Sequence, residues 1–266
     1  MTHHTTTDET TVPYRWVVLC GVWLIYFSFG LTVAALGPLV TPITDDLNMT
    51  FGEMGTVLGA WPLIYILAAL PCGFLIDRVG PRRGLVIAAV IMGVSGLLRS
   101  AADSHLTLFL AVAIFGLGGP LISIGAPKVI ALLFQGKNRG LAMGIYITGP
   151  GLGGVIAAST TNSIFLPFFD ENWRLVTCAY GFVTLFSGLL WLLLSQNAAG
   201  ELIKNAVSET TKESIPETFK HLATIPSVQL VLALSIGIFF INHGLNNWLP
   251  EIIRAQGLSA ANAGYW

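Results

Sequence analysis

The chain has 266 residues, of which 54% are hydrophobic and only 10% are charged, and its formal net charge is −1. Soluble domains carry roughly 25% charged residues, so this composition could not cover the surface of a water-soluble globule. The near-neutral charge gives no reason to expect a nucleic-acid partner. The three cysteines lie singly inside apolar runs, without the spacing of a disulfide framework or a metal site: Cys20, Cys72 and Cys178.

Seven apolar stretches are long enough to cross about 30 Å of hydrocarbon as helices. The predicted spans cover residues 16–38, 54–76, 84–102, 106–134, 141–168, 173–195 and 226–249. The first stretch is too long for the core of a signal peptide, so it is interpreted as an uncleaved span. The sequence therefore predicts an all-α membrane protein surrounded by a lipid bilayer.

The orientation of the spans follows from the distribution of Lys and Arg between the two sides. With the N-terminus in the cytoplasm, nine of the 13 basic residues fall in cytoplasmic segments, three fall outside and one lies within a span. Cytoplasmic loops carry the excess of basic residues in most membrane proteins. The predicted location is the plasma (inner) membrane, with a cytoplasmic N-terminus.

A polar segment and a faint internal repeat predict two halves. Residues 196–225 form the predicted cytoplasmic linker, interpreted as a solvated joint rather than a regulatory docking site, between a six-helix bundle at 1–195 and the start of a second bundle at 226–266. Thr50 and Ser259 both precede an even-numbered span, and the same offset of 209 residues separates Gly55 from Gly264. Duplicated units are common in secondary transporters, and two such units need about 418 residues. The chain is therefore expected to be the front part of a longer protein.

The predicted cytoplasmic loop between the second and third spans reads Gly-Phe-Leu-Ile-Asp-Arg-Val-Gly-Pro-Arg-Arg over residues 73–83. Gly73 is expected to allow close approach of a neighbouring helix and Gly80 to permit a tight turn. Asp77 can pair with an arginine of the loop or meet the positive end of another helix, and such a contact could hold one conformation and release in the other. The alternative is that the basic residues only set the topology: Arg78, Arg82 and Arg83.

A second motif lies in the fifth span, where residues 149–154 read Gly-Pro-Gly-Leu-Gly-Gly. Such a sequence gives a kinked helix surface with few side chains, on which another helix can pack, slide or hinge. Ordinary small-residue packing is the alternative to a hinge. The residues concerned are Gly149, Pro150, Gly151, Gly153 and Gly154.

These two motifs resemble those of the major facilitator superfamily. Residues 73–83 are similar to its loop signature G-x-L-x-D-R-x-G-R-R, with Pro81 in place of a basic residue. Residues 149–154 are similar to the GPxxGG core of its antiporter motif, although Gly144 stands where the longer motif has glycine one position later. The resemblance covers the whole chain and implies a helical bundle with a six-helix N-terminal half, followed by the first helix and part of the second helix of a C-terminal half.

The resemblance also implies alternating access around a central cavity, walled here by spans 1, 2, 4, 5 and 7. Polar and aromatic residues near mid-depth in those spans are the candidate cavity residues: Tyr26, Tyr65, Ser123, Tyr146, Thr148, Asn242, His243, Asn246 and Asn247. Burying such groups against lipid would cost several kcal/mol, so they are expected to face a wet cavity or one another. His243 is the deep titratable candidate.

Two cations are further candidates for the cavity. Arg99 either snorkels to the outer surface, pairs with Asp103 or attracts an anion, and Lys128 either snorkels inward or faces the cavity. If both face the cavity, positive charge without deep carboxylates favours an anionic or neutral substrate. Val112 stands where proton-linked members of the family often carry arginine, so proton coupling through this half is not expected.

The sequence therefore predicts a secondary active or facilitative transporter of a small solute, with a small organic or inorganic anion as the favoured class. A faint similarity to the cyanate and nitroimidazole permease group suits that class. The alternatives are a drug or metabolite exporter of the same family and, from another class, a seven-span receptor. A membrane enzyme would need a nucleophile–base pair or a metal-ligand cluster, which the sequence does not offer, so neither catalysis, a cofactor nor a metal is expected. A monomer is expected.

Overall fold

The computed structural model describes residues 14–196 and 224–264, which form helices joined by turns. Its elements are α1 (Tyr14–Ala34), α2 (Val40–Leu47), α3 (Phe51–Val79), α4 (Pro81–Ser100), α5 (His105–Leu133), α6 (Gly136–Thr160), a π-helical segment (Thr161–Phe165), α7 (Leu166–Phe168), α8 (Trp173–Leu194), α9 (Pro226–Ala255) and α10 (Ala260–Ala263). Nearly all of the predicted linker, 196–225, lies outside the described residues. Within the described ranges, seven stretches of helix are long and apolar enough to span a membrane, and they correspond to the seven predicted spans.

The predicted ends of the first and seventh spans differ from those in the structure. The first helix ends at Ala34 rather than at 38, and turns occupy 35–39, because Pro38 lacks an N–H and disfavours helical geometry in the residue before it. The seventh was predicted to end at 249, just before Pro250, but α9 continues through that proline to Ala255. Membrane helices tolerate proline, because their surroundings can satisfy the freed carbonyl.

Hydroxyl residues begin three of the helices. The side chains of Thr50 and Ser104 each accept a hydrogen bond from the backbone N–H three residues on, which forms the capping boxes of α3 and α5. Ser259 caps the short helix α10 in the same way. Thr50 and Ser259 are the pair in the predicted repeat, so both members of that pair do begin helices.

Close backbone contacts join helices that are not neighbours in sequence. Helices α1 and α6 run parallel, and a Cβ added at Gly149 would lie 3.1 Å from both the Phe27 nitrogen and the Trp23 carbonyl oxygen. Helices α3 and α5 approach as closely, with a Cβ at Gly116 falling 2.5 Å from the Trp61 carbonyl oxygen. Association of helices in lipid depends on van der Waals packing, because lipid chains are as apolar as the side chains themselves. Small residues therefore decide which helices pair.

Hydroxyl pairs join α1 to α8 in the interior of the bundle. The Ser28 and Ser187 hydroxyls lie 3.0 Å apart, and those of Thr32 and Thr184 lie 3.1 Å apart. All four side chains are buried. An interhelical hydrogen bond of this kind contributes about 0.6 kcal/mol in a membrane protein, so the pairs fix the register of the two helices more than they determine stability.

The α1–α6 contact yields a prediction with a control in the same motif. A Cβ at Gly153 would collide with the Phe27 carbonyl oxygen and lie 2.7 Å from the Leu31 nitrogen, whereas a Cβ at Gly151 meets nothing within 4 Å. Gly153→Ala should therefore destabilise the bundle by about 1–3 kcal/mol through overpacking, and Gly151→Ala should not destabilise it. The measurement is the apparent melting temperature of each variant in detergent. Equal melting temperatures for the two variants would contradict the packing described.

Candidate transport site and cytoplasmic loop

Four of the predicted cavity residues form one cluster near mid-depth. The Tyr26 and Tyr146 rings have centroids 5.3 Å apart. The Tyr26 hydroxyl interacts with the Ser123 side chain and, more weakly, with the hydroxyls of Tyr146 and Tyr65. The Tyr65 ring packs over Gly119, where a Cβ would approach it to 2.5 Å. The structure thus brings together residues of α1, α3, α5 and α6 as one surface of aromatic rings and hydroxyls.

Thr148 lies beside this cluster rather than at its centre. Its hydroxyl accepts a hydrogen bond from the Trp23 indole N–H at 3.0 Å and donates to the Ile145 carbonyl at 2.7 Å. Both side chains are at least partly exposed. The pair extends the polar part of the surface along the α1–α6 contact.

The first half meets α9 through an aromatic contact. The His243 ring lies 5.2 Å from the Trp61 ring in an edge-on arrangement and stacks on Phe239 at 5.7 Å. Asn247 is half-buried one turn further along α9, while the Asn242 side chain is exposed. The side chain of Asn246 lies outside the described residues. His243 is therefore the predicted α9 residue with a defined contact to the first half.

Three aromatic residues at the Trp61–His243 contact were not identified from the sequence: Phe29, Trp61 and Phe115. Phe29 stacks on Phe115 at 5.3 Å, and Trp61 meets both rings edge-on at about 6 Å. Ring pairs at these distances stabilise by roughly 0.5–1.5 kcal/mol beyond area burial. We call these three residues, with His243, the aromatic wall. Aromatic residues in an apolar span carry no periodic signal of their own, and only the mid-depth position of Trp61, far from the interfacial belts, could have marked it.

Arg99 neither snorkels nor pairs with Asp103, two of the three roles considered from the sequence. Its side chain is 1% exposed, so it does not snorkel. One Nη of the guanidinium donates to the Thr32 carbonyl at 3.1 Å, and the group lies 5.1 Å from the centre of the Phe115 ring. The Asp103 carboxylate instead accepts hydrogen bonds from Thr107 and Ser104, which hold its pKa below the usual value. Arg99 is thus an interior cation, packed behind the aromatic wall.

Lys128 and Asp77 form an ion pair that the sequence analysis did not foresee. Asp77 was expected to pair with an arginine of its own loop or to meet the positive end of another helix, and Lys128 to snorkel or face the cavity. Instead, the Lys128 ammonium contacts the Asp77 carboxylate across α5 and α3. The two side chains are 45% and 34% exposed. The correction follows from helix ends: Asp77 is in the last turn of α3, where a lysine near the end of α5 can reach it.

Of the remaining loop residues, Arg82 joins α4 to α8. Gly80 has φ +83°, the turn geometry expected of it. The Arg82 side chain donates to the Ser195 hydroxyl at 2.8 Å, and its carbonyl accepts from the Trp191 indole at 3.0 Å. Gly73 was expected to allow close helix approach, but a Cβ there would sit at an ordinary 3.8 Å from the nearest side chain. The exposed arginines of the loop are Arg78 and Arg83.

A second set of contacts joins the two halves at the predicted outer end. The Thr41 hydroxyl in α2 donates to the Glu251 carboxylate in α9 at 2.9 Å. In the π-helical segment, Asn162 donates through its amide to the Ala260 carbonyl at 3.3 Å. No pattern in the sequence predicts the π-helical segment, although π-helical turns often occur at functional sites. Glu251 lies beyond the predicted end of the seventh span, which is why it was not considered.

The mid-depth cluster is free of carboxylates as far as the described residues go. The acidic residues of 14–196 and 224–264 all lie near helix ends or in turns: Asp45, Asp46, Glu53, Asp77, Asp103, Asp170, Glu171 and Glu251. A surface of aromatic rings, hydroxyls and one imidazole can donate several hydrogen bonds without repelling negative charge. This chemistry suits a polar anionic or neutral ligand.

The fold and these sites define a multi-pass helical membrane protein in which a six-helix bundle meets the start of a second one around a polar cluster. The family model of the Major Facilitator Superfamily matches residues 22–266. The chain belongs to that superfamily, whose members are transporters.

Several known proteins are similar to this chain. The uncharacterized transporter YycB of Bacillus subtilis strain 168 is 23% identical, over 93% of this chain and 58% of its own length. The probable L-galactonate transporter of Escherichia coli K12 is 28% identical over 58% of this chain and 34% of its own length, and the gallate transporter of Pseudomonas putida is 29% identical over 72% and 42%. The chain therefore spans about half the length, or less, of these relatives.

Among solved structures, a bacterial homologue of the human lysosomal transporter Spinster shares the fold. Its inward-facing, unoccupied form has a TM-score of 0.77 at 21% identity, covering 97% of this chain and 59% of that one.

The exposure of the Asp77–Lys128 pair yields a stability prediction. Solvent-exposed ion pairs contribute about 0–1 kcal/mol, so Asp77→Asn and Lys128→Met, singly or together, should lower the apparent melting temperature in detergent only slightly. Arg83→Gln, an exposed charge change in the same loop, is the matched control. A loss of stability comparable to that of a core substitution would show that the pair is buried in the protein and contradict the geometry described.

Proposed function

We propose that the full-length protein is a secondary transporter that moves a small organic or inorganic anion across the membrane by alternating access. The observation that carries the proposal is the mid-depth cluster, in which Tyr26, Tyr65, Ser123 and Tyr146 meet without a carboxylate among the described residues. The Trp61–His243 contact brings α9 to the same depth, so both halves contribute to the site. Substrates of transporters in this superfamily bind near the midplane, between the two halves.

The names of two relatives support the anionic class. One is a probable L-galactonate transporter and the other a gallate transporter, and both solutes are carboxylates with several hydroxyl groups. The tyrosine and serine hydroxyls of the mid-depth cluster suit such solutes, because each hydroxyl can donate to a carboxylate or pair with a substrate hydroxyl. A drug or metabolite exporter is less favoured, since those relatives are named for small hydrophilic anions.

Two contact sets support alternating access. The Thr41–Glu251 and Asn162–Ala260 hydrogen bonds close the two halves on each other at one end. We propose that the end where the two halves meet is the outer end and that the Asp77–Lys128 pair, between the end of α3 and α5, acts as a gate that changes partners during transport.

The proposed arrangement in the membrane follows the sequence analysis. The protein is placed in the plasma (inner) membrane with a cytoplasmic N-terminus, because nine basic residues against three favour that side. Residues 1–195 form the first bundle, 196–225 the cytoplasmic linker and 226–266 the start of the second bundle. The protein is proposed to act as a monomer and to have no catalytic activity.

The test is uptake by the full-length protein in proteoliposomes. Galactonate, gallate and nitrate are supplied at equal concentration, with galactose as the uncharged counterpart of galactonate. The proposal expects saturable uptake of at least one anion and less uptake of galactose than of galactonate. Tyr26→Phe should raise KM for the transported anion about tenfold, because a hydrogen bond to a charged group is worth about 1.5–3 kcal/mol. Saturable uptake of galactose together with none of any anion would contradict the anionic class.

The gating role is tested separately from binding. Asp77→Asn should slow turnover severalfold and leave KM nearly unchanged, because the carboxylate lies at the end of α3, away from the mid-depth cluster. Arg83→Gln, an exposed charge in the same loop, should change neither constant. Unchanged turnover in Asp77→Asn would show that the ion pair plays no part in the conformational change.

A further inference from the structure

The charge of Arg99 has no anionic partner in the described part of the chain. The guanidinium donates one hydrogen bond to the Thr32 carbonyl and lies over the face of the Phe115 ring, and its Nε is buried without a partner. The described ion pairs involve other residues. An ionisable group kept inside a membrane bundle is costly unless it pairs, so its presence indicates a function.

Burial of the side chain limits which groups could neutralise this charge. Arg99 is 1% exposed, enclosed between its own helix, α1 and α5. The positive charge is therefore fixed, and it acts on its surroundings through space.

The electrostatic field of the Arg99 guanidinium extends to the aromatic wall. The Phe115 ring that packs against the guanidinium also stacks on Phe29 at 5.3 Å and meets Trp61 at 6.0 Å. Trp61 in turn contacts His243 at 5.2 Å. Aromatic side chains carry no net charge, and a low-dielectric interior transmits a field more strongly than water does. The guanidinium thus lies two rings behind the mid-depth cluster, because Phe115 packs on Phe29 and Trp61, and these contact Tyr26 and Tyr65.

We propose that Arg99 is a specificity-determining residue that favours anions in the transport cavity without touching them. Its fixed charge makes the space in front of the aromatic wall electropositive. This inference rests on the proposed function, because it identifies Arg99 as the residue that makes the proposed transport site selective for negative charge. The competing role is purely mechanical, in which Arg99 only pins α4 to α1 and α5.

The two roles are separated by measuring the potential in the cavity with charged thiol reagents. In the full-length protein, Cys20, Cys72 and Cys178 are replaced by serine and a reporter is introduced as His243→Cys. The rates of modification by anionic (sulfonatoethyl), cationic (trimethylammonioethyl) and neutral methanethiosulfonates are measured in membranes. The neutral reagent corrects for changes in access. A matched control reporter is Gln256→Cys, at an exposed site beyond the end of α9.

Arg99→Gln should lower the anionic-to-cationic rate ratio at position 243 by roughly three- to tenfold. This is the effect expected for one charge on the order of 10–15 Å away, beyond Phe115 and Trp61, at an effective dielectric constant near 20 and reduced by screening. Arg99→Lys should keep the ratio within about twofold, because it keeps the charge while losing the planar fork. The ratio at position 256 should not change in either variant. A mechanical role predicts that all three reagents change rate together and that the ratio stays constant, which would overturn the inference.

The inference remains testable if Arg99→Gln does not fold. With Arg99 intact, the anionic-to-cationic ratio at position 243 must exceed the ratio at position 256, and a value at or below it overturns the inference. A failure of the proposed function would give a different result from a failure of the inference about Arg99. Absence of anion uptake with the rate ratio as expected would reject the anionic substrate but leave the electropositive cavity in place.

Discussion

The contact of helix backbones through small residues is the constraint on which this structure depends. Lipid offers no hydrophobic gain for burying one apolar helix against another, so pairing requires close van der Waals packing. Gly149 and Gly153 bring α6 onto α1, and Gly116 brings α5 onto α3. Each pair also contributes to the mid-depth cluster, with Tyr26 and Tyr146 from α1 and α6 and Tyr65 and Ser123 from α3 and α5.

The same contacts position the candidate site. Tyr26 lies next to the Gly149 contact, and the Tyr65 ring packs directly over Gly119, so the hydroxyls of α1 and α3 are held by the helix pairs rather than by loops. Sites built on packed helices hold their geometry more closely than sites on loops. The glycines at the helix contacts therefore set the distances between the hydroxyl groups of the mid-depth cluster, which are proposed to meet the substrate.

The number and type of the spans could be predicted from the sequence because length and hydropathy follow from membrane thickness alone. The turn at Gly80 could also be predicted, since the chain needs a positive φ there. The partners of the charged residues could not be predicted from the sequence. Asp77 finds Lys128, which is 51 residues away, and Arg99 turns inward to Phe115, because such contacts depend on helix rotation and on which helices pair. The aromatic wall was missed for the same reason.

Helix ends were predicted well only where local chemistry decides them. Thr50 and Ser259 cap helices as expected, since capping needs only a hydroxyl and the following backbone. The predicted end of the seventh span at 249 is too early, since α9 continues through Pro250 to Ala255. The effect of a proline in a membrane helix depends on surroundings that a sequence does not show. This difference matters for function, because the extra turn of α9 carries Glu251, whose carboxylate accepts a hydrogen bond from Thr41 in α2.

The central claim is that the two halves close on each other at the outer end, over a shared site at mid-depth. The most direct test introduces Thr41→Cys and Glu251→Cys into the full-length protein without its native cysteines and treats membranes with a short bifunctional thiol reagent. The account predicts efficient cross-linking of this pair and loss of uptake that reduction of the cross-link restores. Absence of a cross-link when both thiols react singly, or full uptake with the cross-link in place, would contradict it.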